Sequence, residues 1–132
     1  MKMLYTVLLL AVLAGTAQAA PITSANLRDN CTAFVQDSML GATDQLLTGL
    51  CVGYVAGYFD TMDGMAVHFD NGNAQVVFAP NVTVAQIVRV FYKYVNAHPQ
   101  CENESPAGTL TAALIEAKLI GFKPIAEKAV DQ

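Results

Sequence analysis

The chain has 132 residues, 14% of them charged, and a formal net charge of −4. That length supports one modest domain. An acidic balance without a basic cluster argues against nucleic acid and anionic lipid as partners and is compatible with a basic protein partner.

Residues 1–19 read as a secretory signal. Met1-Lys2 gives a short positive start, Leu4 to Leu13 is nearly all apolar, and Ala17-Gln18-Ala19 has the small-x-small form of a signal-peptidase site. Cleavage is expected near Ala19, and the apolar run is too short to span a bilayer. The expected product is a periplasmic protein without a membrane span, residues 20–132 forming one domain. Loss of Lys2 leaves six basic residues against eleven acidic ones.

Four helical segments are expected in this domain. The first starts with Ser24 as N-cap and runs to about Met39, with Leu27, Cys31, Phe34 and Val35 on its apolar face and Gly41 as its stop. The second starts near Thr43 or Asp44 and reaches about Met62, with Leu46, Leu47, Leu50, Cys51, Tyr54, Val55, Tyr58 and Phe59 as its apolar positions. Asp63-Gly64 closes it. From Met65 to Pro80 the helical pattern stops. The turn-forming run NGNAQ makes this a long loop, with a brief hairpin through Ala66–Phe69 and 75–78 as an alternative.

The third helix is the clearest. Thr83 and Gln86 have capping-box spacing, and Ile87, Val90, Phe91, Tyr94 and Val95 recur at helical intervals. His98-Pro99 ends it, because the residue before a proline avoids the helical region. Ser105-Pro106 starts the fourth helix, with Leu110, Ala113, Leu114 and Ala117 as its stripe. After Phe122-Lys123-Pro124 a short extra helix or a frayed tail is expected. The fold class expected is therefore all-α, a four- to five-helix domain with a long loop between helices two and three.

Two features of the second helix need a physical reason. Gly49, Gly53 and Gly57 recur one turn apart, and each interior glycine costs about 1 kcal/mol relative to alanine. Close approach of another backbone explains them, either inside the domain or at a subunit or partner interface. Export permits disulfides, and Cys31 and Cys51 are equidistant from Gly41. An antiparallel helical hairpin turning there brings the two cysteines to the same height, so a Cys31–Cys51 bridge is expected. Cys101 is the remaining thiol.

Chemistry is sparse. Met62, Met65 and His68 recur at threes but straddle a helix end, so no metal site is assigned. His98 and Cys101 lack an acidic orienter or an oxyanion loop, and His98 is read as a helix cap. Asp60 and Asp63 have no visible pocket and are read as solvated or capping groups. Neither a catalytic residue nor a cofactor is expected.

The stretch CVGYVAGYFD resembles the C-x-G-Y-[IV]-x-G-x-x-D signature of the Rap-type immunity proteins, carried here by Cys51, Gly53, Tyr54, Gly57 and Asp60. The resemblance continues through VTVAQIVRVFYKYVNAHPQ, where Val82, Thr83, Gln86, Lys93, Tyr94, His98 and Pro99 match V-T-x-x-Q, a lysine-tyrosine pair and H-P-E. It ends in PAGTLTAALIEA from Pro106. This chain lacks the family's second cysteine pair and carries Glu102 and Asn103 where a basic pair is usual. The resemblance implies an exported, all-helical, non-enzymatic protein that forms a homodimer. It implies a protein that binds and inhibits a peptidoglycan-amidase effector of type VI secretion. In that reading the signature residues are structural, and His68, Asp70, Asn71 and Asn73 form the partner-binding loop. The alternative is a small periplasmic stress or chaperone-like helical protein.

Overall fold

The computed structural model describes residues 20–69 and 72–125. The expected signal segment therefore lies outside the described residues, as do Asp70, Asn71 and the end of the tail. Four helices and three strands follow in the order α1 (Ser24–Val35), α2 (Ala42–Met62), β1 (Ala66–Phe69), β2 (Gly72–Phe78), α3 (Val84–Ala97), α4 (Pro106–Glu116) and β3 (Ile120–Pro124). A single 3₁₀ turn, Pro99–Cys101, joins α3 to α4.

Helix α3 forms the centre of the core, with Ile87, Val88, Phe91 and Val95 fully buried. Leu27 and Cys31 of α1, Cys51 and Val55 of α2, and Leu110 and Leu114 of α4 close around it. Thr83 caps α3 by accepting the Gln86 N–H at 3.2 Å. The cap of α1 is Thr23 rather than Ser24, in a reciprocal capping box with Asn26. Ser24 lies one position inside the helix and is buried, its hydroxyl 2.8 Å from Thr109 Oγ1 and 3.1 Å from the Glu104 carbonyl. The Ser24 and Ala25 N–H groups donate to the Glu104 and Glu102 carbonyls, both at 2.9 Å. The first turn of α1 thus finds its acceptors in the α3–α4 connection.

The α1–α2 hairpin carries a disulfide between Cys31 and Cys51, with a Cα–Cα distance of 5.1 Å and both residues fully buried. Cys101 is a free, half-buried thiol in the 3₁₀ turn.

The all-α expectation is overturned. Residues 66–69 and 72–78 pair as antiparallel strands, as in the hairpin alternative and not the long loop, and residues 120–124 form a third strand where no element was expected. The extra helix or frayed tail expected beyond Pro124 falls on residues outside the described ones. Together the three strands make an antiparallel sheet in the order β1-β2-β3. Ala66 pairs with Gln75 and His68 with Asn73, while Phe78 pairs with Ile120 and Ala74 with Pro124. The alternation of β2 buries Ala74 and Val76 while Gln75 and Val77 face out, the period-two signature of a half-covered sheet. Phe78 of β2 joins the sheet to the helices through Phe59 of α2, ring centroids 4.5 Å apart.

Gly64 makes the reversal from α2 into β1. Its φ of +75° is a conformation that side chains disfavour, and an added Cβ would stand 3.1 Å from Gln75 Nε2. The Gly64 N–H donates to the Val76 carbonyl and the Val76 N–H to the Met65 carbonyl. The hairpin is therefore tied to the end of α2 from its first residue.

Candidate functional site

The residues expected to contact a partner belong to the β1–β2 hairpin. His68 and Asn73 are directly cross-strand partners, and His68 Nδ1 hydrogen-bonds Asn73 Oδ1. Both are exposed. Asp70 and Asn71 of the same expected set lie outside the described residues. The strand pairing thus brings two of the four together.

The signature residues divide between the two faces of α2. Cys51 is buried in the bridge, and Tyr54 is half-buried against the core. Gly53, Gly57 and Asp60 face outward. Gly49, Gly53 and Gly57 have open space where a Cβ would stand, with nothing within 4 Å. Packing inside the domain therefore does not explain them. Leu46 and Leu50, expected on the apolar face, are 64% and 53% exposed on this same outer side.

The second signature block surrounds α3. Val82 packs at the edge of the core, and Thr83 and Gln86 form the cap contact already described. Tyr94 and His98 stack with ring centroids 4.0 Å apart. His98 ends α3, and its Nδ1 donates to the Tyr94 carbonyl at 2.9 Å. Pro99 opens the 3₁₀ turn. Burial, aided by Cys101, Glu116 and Glu104, lifts the Tyr94 phenol above its ordinary pKa. Glu102, which departs from the basic family pattern, is an ion-pair partner of Arg28. The hydrogen bond to Glu102 is the main cause that raises the Arg28 pKa.

A feature not anticipated from the sequence is an apolar groove of about 710 Å³ between α2 and α4. Gly53, Gly57 and Thr61 line one side, Ala107, Gly108 and Thr111 the other, and Met62 and Met65 close one end. Tyr58 lies within it, its hydroxyl 2.7 Å from Thr111 Oγ1. Burial is the largest cause that lifts the Tyr58 phenol above its ordinary pKa of 10.0; the Thr111 hydrogen bond opposes this and Tyr54 adds to it. The sequence signal for the groove was the small residues on both helices, but their pairing across space is not readable from spacing alone. A second, smaller cleft of about 240 Å³ lies beside Tyr94, His98 and Glu116.

Among the described residues, no three His, Cys, Asp or Glu side chains converge as metal ligands. None of the described helices is long and apolar enough to cross a membrane. The arrangement offers contact surfaces, namely a polar hairpin and an apolar groove.

Residues 23–117 match the family model of the Rap1a immunity proteins. No curated protein and no solved structure matches the chain.

Proposed function

Because the chain belongs to the Rap1a immunity protein family, we propose that it protects its cell against a peptidoglycan-amidase effector delivered by type VI secretion. It acts in the periplasm after removal of its signal segment, as a homodimer that binds the effector without chemistry of its own. Family membership carries the reading. The hairpin supports it, because a two-stranded ribbon with exposed polar side chains can enter the substrate cleft of a hydrolase and exclude the cell-wall peptide.

Binding of this kind rewards a surface ordered before contact, since each rotamer-rich side chain immobilised on association costs about 0.5–1.5 kcal/mol. His68 and Asn73 already hold each other across the strands. In the proposed complex they, with Asp70 and Asn71, make the main polar contacts.

The test is co-purification of the mature, oxidised protein with hydrolases encoded beside it, followed by an amidase assay on peptidoglycan. A stable complex with suppressed activity is the expected result. The His68→Ala, Asn73→Ala double variant should bind at least about tenfold more weakly while keeping its fold. Full inhibition by that variant would remove the hairpin from the mechanism. Failure to bind any neighbouring hydrolase would end the immunity reading for this chain.

A further inference from the structure

We propose that the cleft between α3 and α4, beside Tyr94, His98 and Glu116, binds a small zwitterion: an amino acid or dipeptide whose ammonium and carboxylate are both free. The functional reading gives these residues no contact to make.

His98 carries the argument. Its Nδ1–H is committed to the Tyr94 carbonyl at 2.9 Å, and its ring is held against the Tyr94 ring, with centroids 4.0 Å apart. With the proton on Nδ1, Nε2 of the neutral ring keeps a lone pair and can only accept. That nitrogen stands 4.0 Å from Glu116 Oε2. The separation is too long for a hydrogen bond, and two acceptors do not satisfy each other. A single ammonium placed between them donates to both, at about 3 Å each. The end of α3 and the end of α4 thus offer two acceptors to one gap, a pairing suited to a cation that carries its own protons.

The rest of the cleft suits what such an ammonium is attached to. Ala97, Ala113 and Ala117 line it with small side chains and leave about 240 Å³. Sites for drug-sized molecules hold roughly 300–1,000 Å³, so the occupant here is smaller, one or two residues with methyl-sized side chains. Lys93 lines the same cleft. It is exposed and makes no salt bridge among the described residues, which leaves its ammonium for the carboxylate at the ligand's other end. Charge of both signs is therefore available on opposite parts of one small space.

An enzyme that hydrolyses a peptide bond releases one new ammonium and one new carboxylate. The products of the proposed effector accordingly have the ends that this cleft takes. That source of ligand rests on the functional reading; the cleft's chemistry does not.

The probe is alanyl-alanine, in its L,L and D,D forms, titrated into the mature, oxidised protein with backbone amide shifts as the readout. Binding of either form is expected to be saturable, with shifts at residues 94–101 and 113–118 and a dissociation constant of about 1 mM. N-acetylation of the dipeptide, which removes the ammonium, should weaken binding at least about tenfold. Glu116→Gln should weaken the free dipeptide about as much and leave the acetylated one unchanged. Lys93→Met should weaken the dipeptide but not its C-terminal amide. Both side chains are exposed, so the variants should fold, and circular dichroism checks this. Equal binding of free and acetylated dipeptide, shifts confined to other parts of the protein, or no saturable shift at about twenty times the expected constant would each overturn the site. A hydrolase complex without dipeptide binding would overturn this site alone. Dipeptide binding without any hydrolase complex would keep the site and remove the effector as its source of ligand.

Discussion

Reduction of the Cys31–Cys51 bridge is the perturbation whose size follows most directly from the structure. The bridge closes a loop with a sequence separation of 20. The chain-entropy relation assigns such a loop about 3 kcal/mol of stabilisation at room temperature. Domains of this size have roughly 5–15 kcal/mol in all, so the bridge is a major part of the margin. Replacing the cysteines would confuse the result, because both side chains are fully buried and a smaller residue adds a cavity cost. Comparing oxidised and reduced protein of one sequence avoids this. Since the sulfurs are sealed in the core, reduction must be done on unfolded chain, with refolding under reductant. Urea unfolding followed by circular dichroism should then show a midpoint lower by about 1–3 M for the reduced form. A loss below about 1 kcal/mol would refute the reasoning, because it would mean that the unfolded chain already holds the α1–α2 hairpin closed.

Thr83→Ala should cost about 1 kcal/mol in urea unfolding, since it deletes the acceptor of the Gln86 N–H. Ser105→Ala should cost much less, because Ser105 makes no side-chain cap hydrogen bond at the start of α4. Phe91→Ala, at the fully buried centre of α3, should cost about 3–5 kcal/mol in the same assay. Tyr58 should give an alkaline signature: its raised pKa means that the folded state holds the phenol proton more tightly than the unfolded chain. The resulting stability is complete below the unfolded value of about 10 and disappears as pH rises through the folded value. Tyr58→Phe should flatten stability against pH in that alkaline window, and at neutral pH should lose about 1 kcal/mol with the Thr111 hydrogen bond.

Helix α3 was legible because its apolar residues recur at one period and its ends carry a threonine cap and a His-Pro stop. The hairpin was only half legible. Ala74, Val76 and Phe78 do alternate, but the turn chemistry of NGNAQ begins so close to them that the run resembles a loop with apolar patches. Strand β3 had no local signal at all. Ile120 to Pro124 includes a glycine and a proline, and its extended form is supported by pairing with β2 and by the Ala79 N–H donated to the Leu119 carbonyl. Strand preference is largely a matter of such neighbours. On α2 the limit was different: with apolar residues on every side, periodicity could not separate Leu46 and Leu50 from the core. The cysteines did fix the inner face, because a bridge to Cys31 requires Cys51 to point toward α1.

The sheet changes what the proposed inhibitor surface is physically. A loop spanning residues 65–80 would have to be ordered on contact, at about 1–2 kcal/mol for each backbone residue fixed. Strand pairing has already met that cost in the free protein. Gly64 binds the hairpin to the end of α2, the Phe59–Phe78 contact holds its base against the helices, and β3 supports its other edge from the end of α4. The bridge between Cys31 and Cys51 fixes the inner face of α2, from whose end the hairpin emerges. The family signature on α2 therefore acts on the hairpin at a distance: it sets the helix from which the ribbon projects. In this arrangement the residues of the proposed contact surface, His68 and Asn73, can be substituted while the support beneath them stays constant, so that affinity can be tuned there without rebuilding the core.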